Sequence, residues 1–370
     1  MNINVASSTR VKSAARAKLA IADCDLHPAP NGLKELHPYL DERWHRHLEM
    51  FGTLRRHGYQ QGPAYPKGQP EAMRRDSWPP DGSRPGSRLG FMQWQHLDPN
   101  NVELGVLTPI SPHPGGFQNA EMSAAFCRAV NDWQKAEWTQ KDSRLRASIT
   151  VPYEHGELAV GEIERRADDP EFVQVFLLSR TAAPIGQRRY WPMFEAAVRA
   201  NRPVAIHAFG FGGFPITGGG WPSFYLEEMT GHAQCCQSQV TSLVLEGVFE
   251  RFPTLRVVFI EGGFAWLPSL AWRLDRHWKK LKSETPHLER LPSEYIRDHI
   301  WVTTQPMEEP RSAGHLIDVC EWIGWDKILF ATDYPHWDFD NPAQCLPPAL
   351  TEEQRGRIFL ENARSFYGMN

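Results

Sequence analysis

A (β/α)8 barrel is the fold class this 370-residue sequence predicts, on three observations: eight short apolar runs, helical patterns between them, and no Gly-rich dinucleotide fingerprint after the first run. The runs lie at 20–25 (AIADCD), 102–108 (VELGVLT), 145–151 (LRASITV), 172–178 (FVQVFLL), 203–208 (PVAIHA), 256–260 (RVVFI), 300–304 (IWVTT) and 328–332 (ILFAT). Most are too short for helices. Helical patterns fall at 119–140, 155–167, 188–200, 236–250, 264–282, 311–323 and 351–367, several bounded by Gly or Pro where helices start and stop. Eight parallel strands, each followed by a helix, close most economically into a barrel.

Two stretches stand outside this order. Residues 1–19 carry Arg10, Lys12, Arg16 and Lys18 among Ser and Ala, without the continuous apolar core of a secretory signal, and read as a flexible tail before a barrel at 20–370. Residues 53–90 are rich in Pro, Gly and Arg, lack usable periodicity, and read as a long insertion after the first strand. Because it follows a strand, it should emerge on the face where barrel enzymes place their chemistry.

A formal net charge of -4 gives no electrostatic reason to expect nucleic acid or an anionic membrane as partner, so a small-molecule substrate is expected. No stretch approaches the ~20 consecutive apolar residues that span a bilayer. The cysteines (Cys24, Cys127, Cys235, Cys236, Cys320, Cys345) form no C-x-x-C pair, which suits a reducing compartment and a cytoplasmic location.

The strand ends carry the chemistry. Strand one closes on Asp25-Leu26-His27, and a D-x-H pair on extended backbone points both side chains to one side. Strand five ends in His207 and strand eight in Asp333. Singly these are ordinary turn, core or capping residues; together three strands deliver two carboxylates and two imidazoles to one face. That set suits one divalent ion, zinc first and manganese second, and an open coordination position makes such a site catalytic. Asp333 and Glu261, which follows strand six, are the candidate acid/base groups. Arg180, at the end of strand four, is a candidate clamp for a substrate carboxylate. His113, Trp191 and Trp221 are further candidates for the substrate walls, and His336 for orienting a ligand.

The motifs DCDLHP (23–28), PVAIHAFG (203–210), GVFERFPTLRVVFIEGGFAWLPSLAWRLDRHW (247–278) and ILFATDYPHWD (328–338) resemble the amidohydrolase-related family, which includes aminocarboxymuconate-semialdehyde and γ-resorcylate decarboxylases. The resemblance runs from Ile21 onward and leaves the tail and the 53–90 insertion unmatched. It implies a distorted TIM barrel, a single divalent metal and a homodimer. Many relatives carry His-x-His at strand one; here Asp25 takes the first place. The family's decarboxylases have a histidine at the end of strand six, where this chain has Glu261.

That last difference turns the expectation towards a metal-dependent hydrolase, in which metal-activated water attacks a carbonyl-type C–C or C–N bond of an aromatic or carboxylate-bearing substrate. The alternative is a non-oxidative decarboxylase of an aromatic or conjugated acid, with Asp333 supplying the proton that replaces carbon dioxide. A non-catalytic ligand-binding barrel is the second alternative.

Overall fold

The computed structural model describes residues 19–51, 72–210 and 215–369, so the tail and the first part of the 53–90 insertion lie outside the described residues. The strands are β1 (Ile21–Leu26), β2 (Val102–Leu107), β3 (Leu145–Thr150), β4 (Phe172–Leu178), β5 (Val204–His207), β6 (Val257–Ile260), β7 (Ile300–Thr303) and β8 (Ile328–Leu329). All pair parallel in sequence order. The helices of eight residues or more are α1 (Glu42–Phe51), α2 (Ala120–Gln134), α3 (Gly156–Arg166), α4 (Trp191–Arg199), α5 (Tyr225–Leu245), α6 (Leu267–Leu281), α7 (Pro292–His299) and α8 (Ala313–Ile323), and a shorter α9 (Asn362–Tyr367) ends the chain. None is long and apolar enough to cross a membrane.

Two apolar layers hold the barrel together. Inward side chains including Ala22, Val106, Leu178, Ala205 and Val258 fill the interior, joined by Phe366 and Tyr367 of α9. The Tyr367 hydroxyl donates to Gln174 Oε1 at 2.9 Å, so the one polar group of this plug is satisfied. A larger outer layer, with Ile149, Phe194, Val240 and Leu267, lies between strands and helices.

The β1–β8 seam is the least regular part. Only Ile328–Leu329 of the 328–332 run is strand. Beyond it the backbone amides bond to side chains: Ala331 N–H donates to Thr304 Oγ1 (3.1 Å) and Thr332 N–H to Asp23 Oδ1 (3.0 Å). Closure comes from Cys24 N–H to Phe330 O and His27 N–H to Tyr334 O, each 2.9 Å. Asp23 is fully buried and binds three further groups: His96 Nε2 at 2.7 Å, Thr332 Oγ1 at 2.5 Å and the Asp25 amide at 3.3 Å.

Most helices fall within a few residues of expectation. α5, expected from 236, begins at Tyr225, where Glu227 reaches back to accept the Ser223 and Phe224 amides at 2.8 Å each. The Gly-rich stretch before it obscures that start, and His232 lies inside the helix. α1 and α7 escaped the periodicity reading, although in α7 Pro292 at the first position and Glu294 accepting from Leu291 N–H (2.8 Å) are start signals.

The described end of the insertion returns to the C-terminal mouth of the barrel. Arg74 N–H donates to Pro335 O (3.0 Å) and Trp337 N–H to Ala72 O (2.9 Å), an antiparallel clasp on the segment after β8. Gly86 then passes under the His27 carbonyl: its φ is +75° and an added Cβ would stand 2.3 Å from His27 O. Gly86→Ala is therefore expected to lower stability by at least about 2 kcal/mol in urea unfolding, adding left-handed strain to a backbone clash. A change below about 0.5 kcal/mol would show that this crossing yields freely.

Candidate metal centre and its cavity

The ligand-type side chains gather at the mouth ends of the strands: Asp25 from β1 and His27 directly after it, His207 as the last residue of β5, Glu261 directly after β6, and Asp333 in the segment that follows β8. All five are almost completely buried. Glu261 and Asp333 have φ of +57° and +63°, a left-handed conformation costing a non-glycine residue about 1–2 kcal/mol. Strain of this kind persists where surrounding structure imposes it, characteristically at functional sites.

The hydrogen bonds set the tautomers. His27 Nδ1 lies 2.7 Å from Thr108 O and His207 Nδ1 2.8 Å from Ala208 O. A carbonyl only accepts, so each Nδ1 carries a hydrogen and a neutral ring presents its Nε2 lone pair to the other side. There it meets carboxylate oxygens: Asp333 Oδ1 at 2.8 Å and Asp25 Oδ1 at 3.3 Å from His27, Asp25 Oδ1 at 3.4 Å and Glu261 Oε2 at 3.2 Å from His207. Neither Nε2, nor Asp25 Oδ2, makes a hydrogen bond.

Lone pairs facing anionic oxygens repel unless a positive charge lies among them. Burial opposes charge on His27, yet Asp25 and Asp333 outweigh it and raise its pKa well above the ordinary value. Burial also works to raise Asp25, but His27 and His207 hold it well below the usual carboxylate range. The cage thus demands a cation, met by a proton or by a metal ion. The donor atoms of Asp25, His27, His207 and Glu261 all lie within 4.8 Å of one another, so the residues present fit a divalent ion.

Around the cage stand supporting groups. Thr108 Oγ1 donates to Asp25 Oδ1 at 2.5 Å, while its own carbonyl fixes His27. His336 Nδ1 lies 2.5 Å from Asp333 Oδ1, and Gln305 Nε2 donates to Asp333 Oδ2 at 3.4 Å. Burial pushes Asp333 up to about 6 against the pull of the neighbouring His27.

A cavity of about 370 Å³ opens onto this cage, with His27, Glu261 and His336 in its wall. Arg84 and Arg180 contribute two guanidinium groups; Met73, Leu178, Phe209, Trp221, Tyr225 and Trp337 supply apolar and aromatic surface. Arg180, Trp221 and His336 are thus where expected. His113 and Trp191 are not. His113 is buried between Tyr153 and Phe176 at ring distances of 5.7 and 6.0 Å, and burial drives its pKa down to about 3, so it is a neutral packing residue. Trp191 donates from Nε1 to Gly186 O (2.8 Å) and packs on Phe252, on the helical side of the barrel. A position shortly after a strand end does not fix which way a side chain turns.

Sequence reasoning missed Thr108, Arg84, Tyr225 and Asp338. Thr108 closes the second apolar run, so its position was legible. Arg84 lies in the aperiodic insertion, where no pattern pointed to it.

The profile of the Amidohydrolase family matches residues 22–369, and the chain belongs to that family. A γ-resorcylate decarboxylase of Polaromonas sp. is 24% identical over 293 residues, covering 74% of this chain and 86% of the relative. The crystal structure of a Polaromonas dihydroxybenzoic acid decarboxylase with bound manganese and the inhibitor 2-nitroresorcinol superposes with a TM-score of 0.66 at 20% identity, over 95% of this chain and 98% of that one. A 5-carboxyvanillate decarboxylase of Novosphingobium aromaticivorans, complexed with manganese and 4-hydroxy-3-methoxy-5-nitrobenzoic acid, gives 0.69 at 16% identity over 98% and 100%. At these identities the structural likeness speaks for the fold. The expectation of hydrolysis drawn from Glu261 finds no support among these relatives, which are named as decarboxylases, and two of their structures hold manganese where zinc was expected first.

Proposed function

We propose that this chain is a divalent-metal-dependent, non-oxidative decarboxylase of a small aromatic acid, with manganese as its working ion. The observation that carries the reading is the pairing of a cation-demanding cage with an adjoining cavity that has two arginines and an aromatic wall. Such a wall suits a flat ring, and a guanidinium suits a carboxylate or phenolate on it. The decarboxylase relatives, one of dihydroxybenzoate and one of carboxyvanillate, support the same class of substrate.

The bound ion would be held by Asp25, His27 and His207 with a carboxylate of Glu261 or Asp333, and would supply electrophilic stabilisation of negative charge on substrate oxygens. Arg180 orients the acid, and the apolar wall excludes water from the ring carbon that must be protonated. Asp333 holds the proton. The ring carbon–carboxylate bond breaks with its electron pair left on the ring, that carbon takes the proton from the Asp333 carboxyl, and carbon dioxide leaves. His336 and Gln305 fix the Asp333 carboxyl group for the transfer.

The test is carbon dioxide release from 2,6-dihydroxybenzoate and 5-carboxyvanillate by the Mn2+-loaded protein, with ring product measured in parallel. Equimolar carbon dioxide and phenol, abolished by a chelator and restored by Mn2+, are expected. Turnover of amides or β-diketones without carbon dioxide would establish the hydrolase instead. Arg180→Met is expected to raise KM about 10–100-fold with a smaller change in kcat, as loss of a charge-assisted hydrogen bond to bound acid requires.

A further inference from the structure

We infer that the aromatic acid this chain takes bears an amino group on the ring position next to its carboxylate, and that Glu261 selects it by accepting an N–H. The inference rests on the proposed reading of the site as a metal-dependent decarboxylase and narrows its substrate. With Asp25, His27, His207 and Asp333 around the ion, Glu261 is the remaining carboxylate of the cage. It takes part in the cavity wall, as Asp333 does not.

Glu261 is held firmly in that wall. It is buried, its backbone is in the left-handed conformation, its amide donates to Thr303 Oγ1 at 3.3 Å, and its Oε2 stands 3.2 Å from His207 Nε2. A carboxylate offers a ligand lone pairs only. The carboxylate or phenolate of a bound acid has no hydrogen to give and is repelled by it; such groups belong at the ion and at the guanidinium groups of Arg84 and Arg180. What Glu261 can hold is a substituent that donates.

Its position says where on the ring that substituent lies. A donor atom of Glu261 is within 4.8 Å of those of Asp25, His27 and His207, so a group that touches Glu261 is the immediate neighbour of the group at the ion. On a flat ring the immediate neighbour is the ortho position. A hydroxyl placed there, beside a divalent ion, gives up its hydrogen readily and becomes an anion facing an anion. An aromatic amine keeps its hydrogens. An ortho amino group also feeds electron density to the ring carbon that loses carbon dioxide and takes a proton.

The probes are 2-aminobenzoate, 2-methylbenzoate and 2-hydroxybenzoate, mixed with Mn2+-loaded full-length wild type, Glu261→Met and Glu261→Gln. Binding is read within seconds from tryptophan fluorescence, and carbon dioxide release is followed afterwards. Wild type is expected to bind 2-aminobenzoate at least about 10-fold more tightly than its methyl isostere, the worth of one hydrogen bond to a charged group. That ratio should fall below about 3 in Glu261→Met, and at least about 3-fold in Glu261→Gln should the first variant not fold. Both variants should bind Mn2+ within about 10-fold of wild type, since Glu261 is not on the ion. No preference for the amine in wild type, a preference that survives Glu261→Met, 2-hydroxybenzoate bound as tightly as 2-aminobenzoate, or Mn2+ binding lost in both variants would overturn the inference. A Glu261-dependent preference without carbon dioxide release would remove the decarboxylase reading and leave the selection standing. Carbon dioxide release from all three acids alike would do the reverse.

Discussion

His207→Ala is expected to strip the protein of its metal and of its activity together. A four-ligand structural zinc site is worth about 10–16 kcal/mol, so one ligand in four carries roughly 3–4 kcal/mol, or about 10²–10³ in affinity. The purified variant should hold well under one equivalent where wild type holds about one, measured by elemental analysis. The loss compounds itself: without the imidazole, the buried Asp25 and Glu261 carboxylates each lose a neighbour, at 3.4 and 3.2 Å. Turnover should fall by at least about 10³-fold at metal concentrations that saturate wild type. A variant that keeps a full equivalent of metal would remove His207 from the cage.

Asp23→Ala, outside the cage, should produce the largest loss of stability. Asp23 receives bonds from His96, from both the amide and the hydroxyl of Thr332, and from the Asp25 amide, all at buried positions. Asn100 Nδ2 donates to His96 Nδ1 at 3.1 Å, which leaves the His96 hydrogen on Nε2, facing Asp23. Alanine abandons these donors in the core, and a cost of about 3–5 kcal/mol is expected. Asp23→Asn, which retains one acceptor oxygen, should cost about half of that. Urea midpoints at constant slope provide the measurement; a cost under about 1 kcal/mol would mean that water or relaxation replaces Asp23 at the seam.

Barrel strands were legible because strands buried on both faces read as short apolar runs, and all eight runs hold a strand. The 328–332 run overstated β8 because Asp23 and Thr304 side chains take amides that a ladder would have used. Asp25, His27, His207, Glu261 and Asp333 were legible because a strand end fixes the position of its polar residue in space. His113 and Trp191 lie in connections, where the chain can turn a side chain to either side, and there the same reasoning failed. Arg84 depends on an insertion whose path is set by tertiary contacts such as Gly86 under His27, which no local pattern encodes. Ligand types leave the choice between zinc and manganese open, and reaction class depends on the cavity rather than on the cage.

The cage draws on β1 and on the segment after β8, and the bond between Thr332 and Asp23 joins residues 309 apart in the chain. A chain emerging from the ribosome therefore presents Asp25 and His27 long before Asp333 exists, and an ion meeting the early strands finds only part of its coordination sphere. Assembly of the whole cage becomes a late event, completed after the last strand has docked and the longest loop has been closed. An ion bound in the cage would then lock the finished ring, stabilising the closed topology by mass action while leaving unclosed intermediates unrewarded.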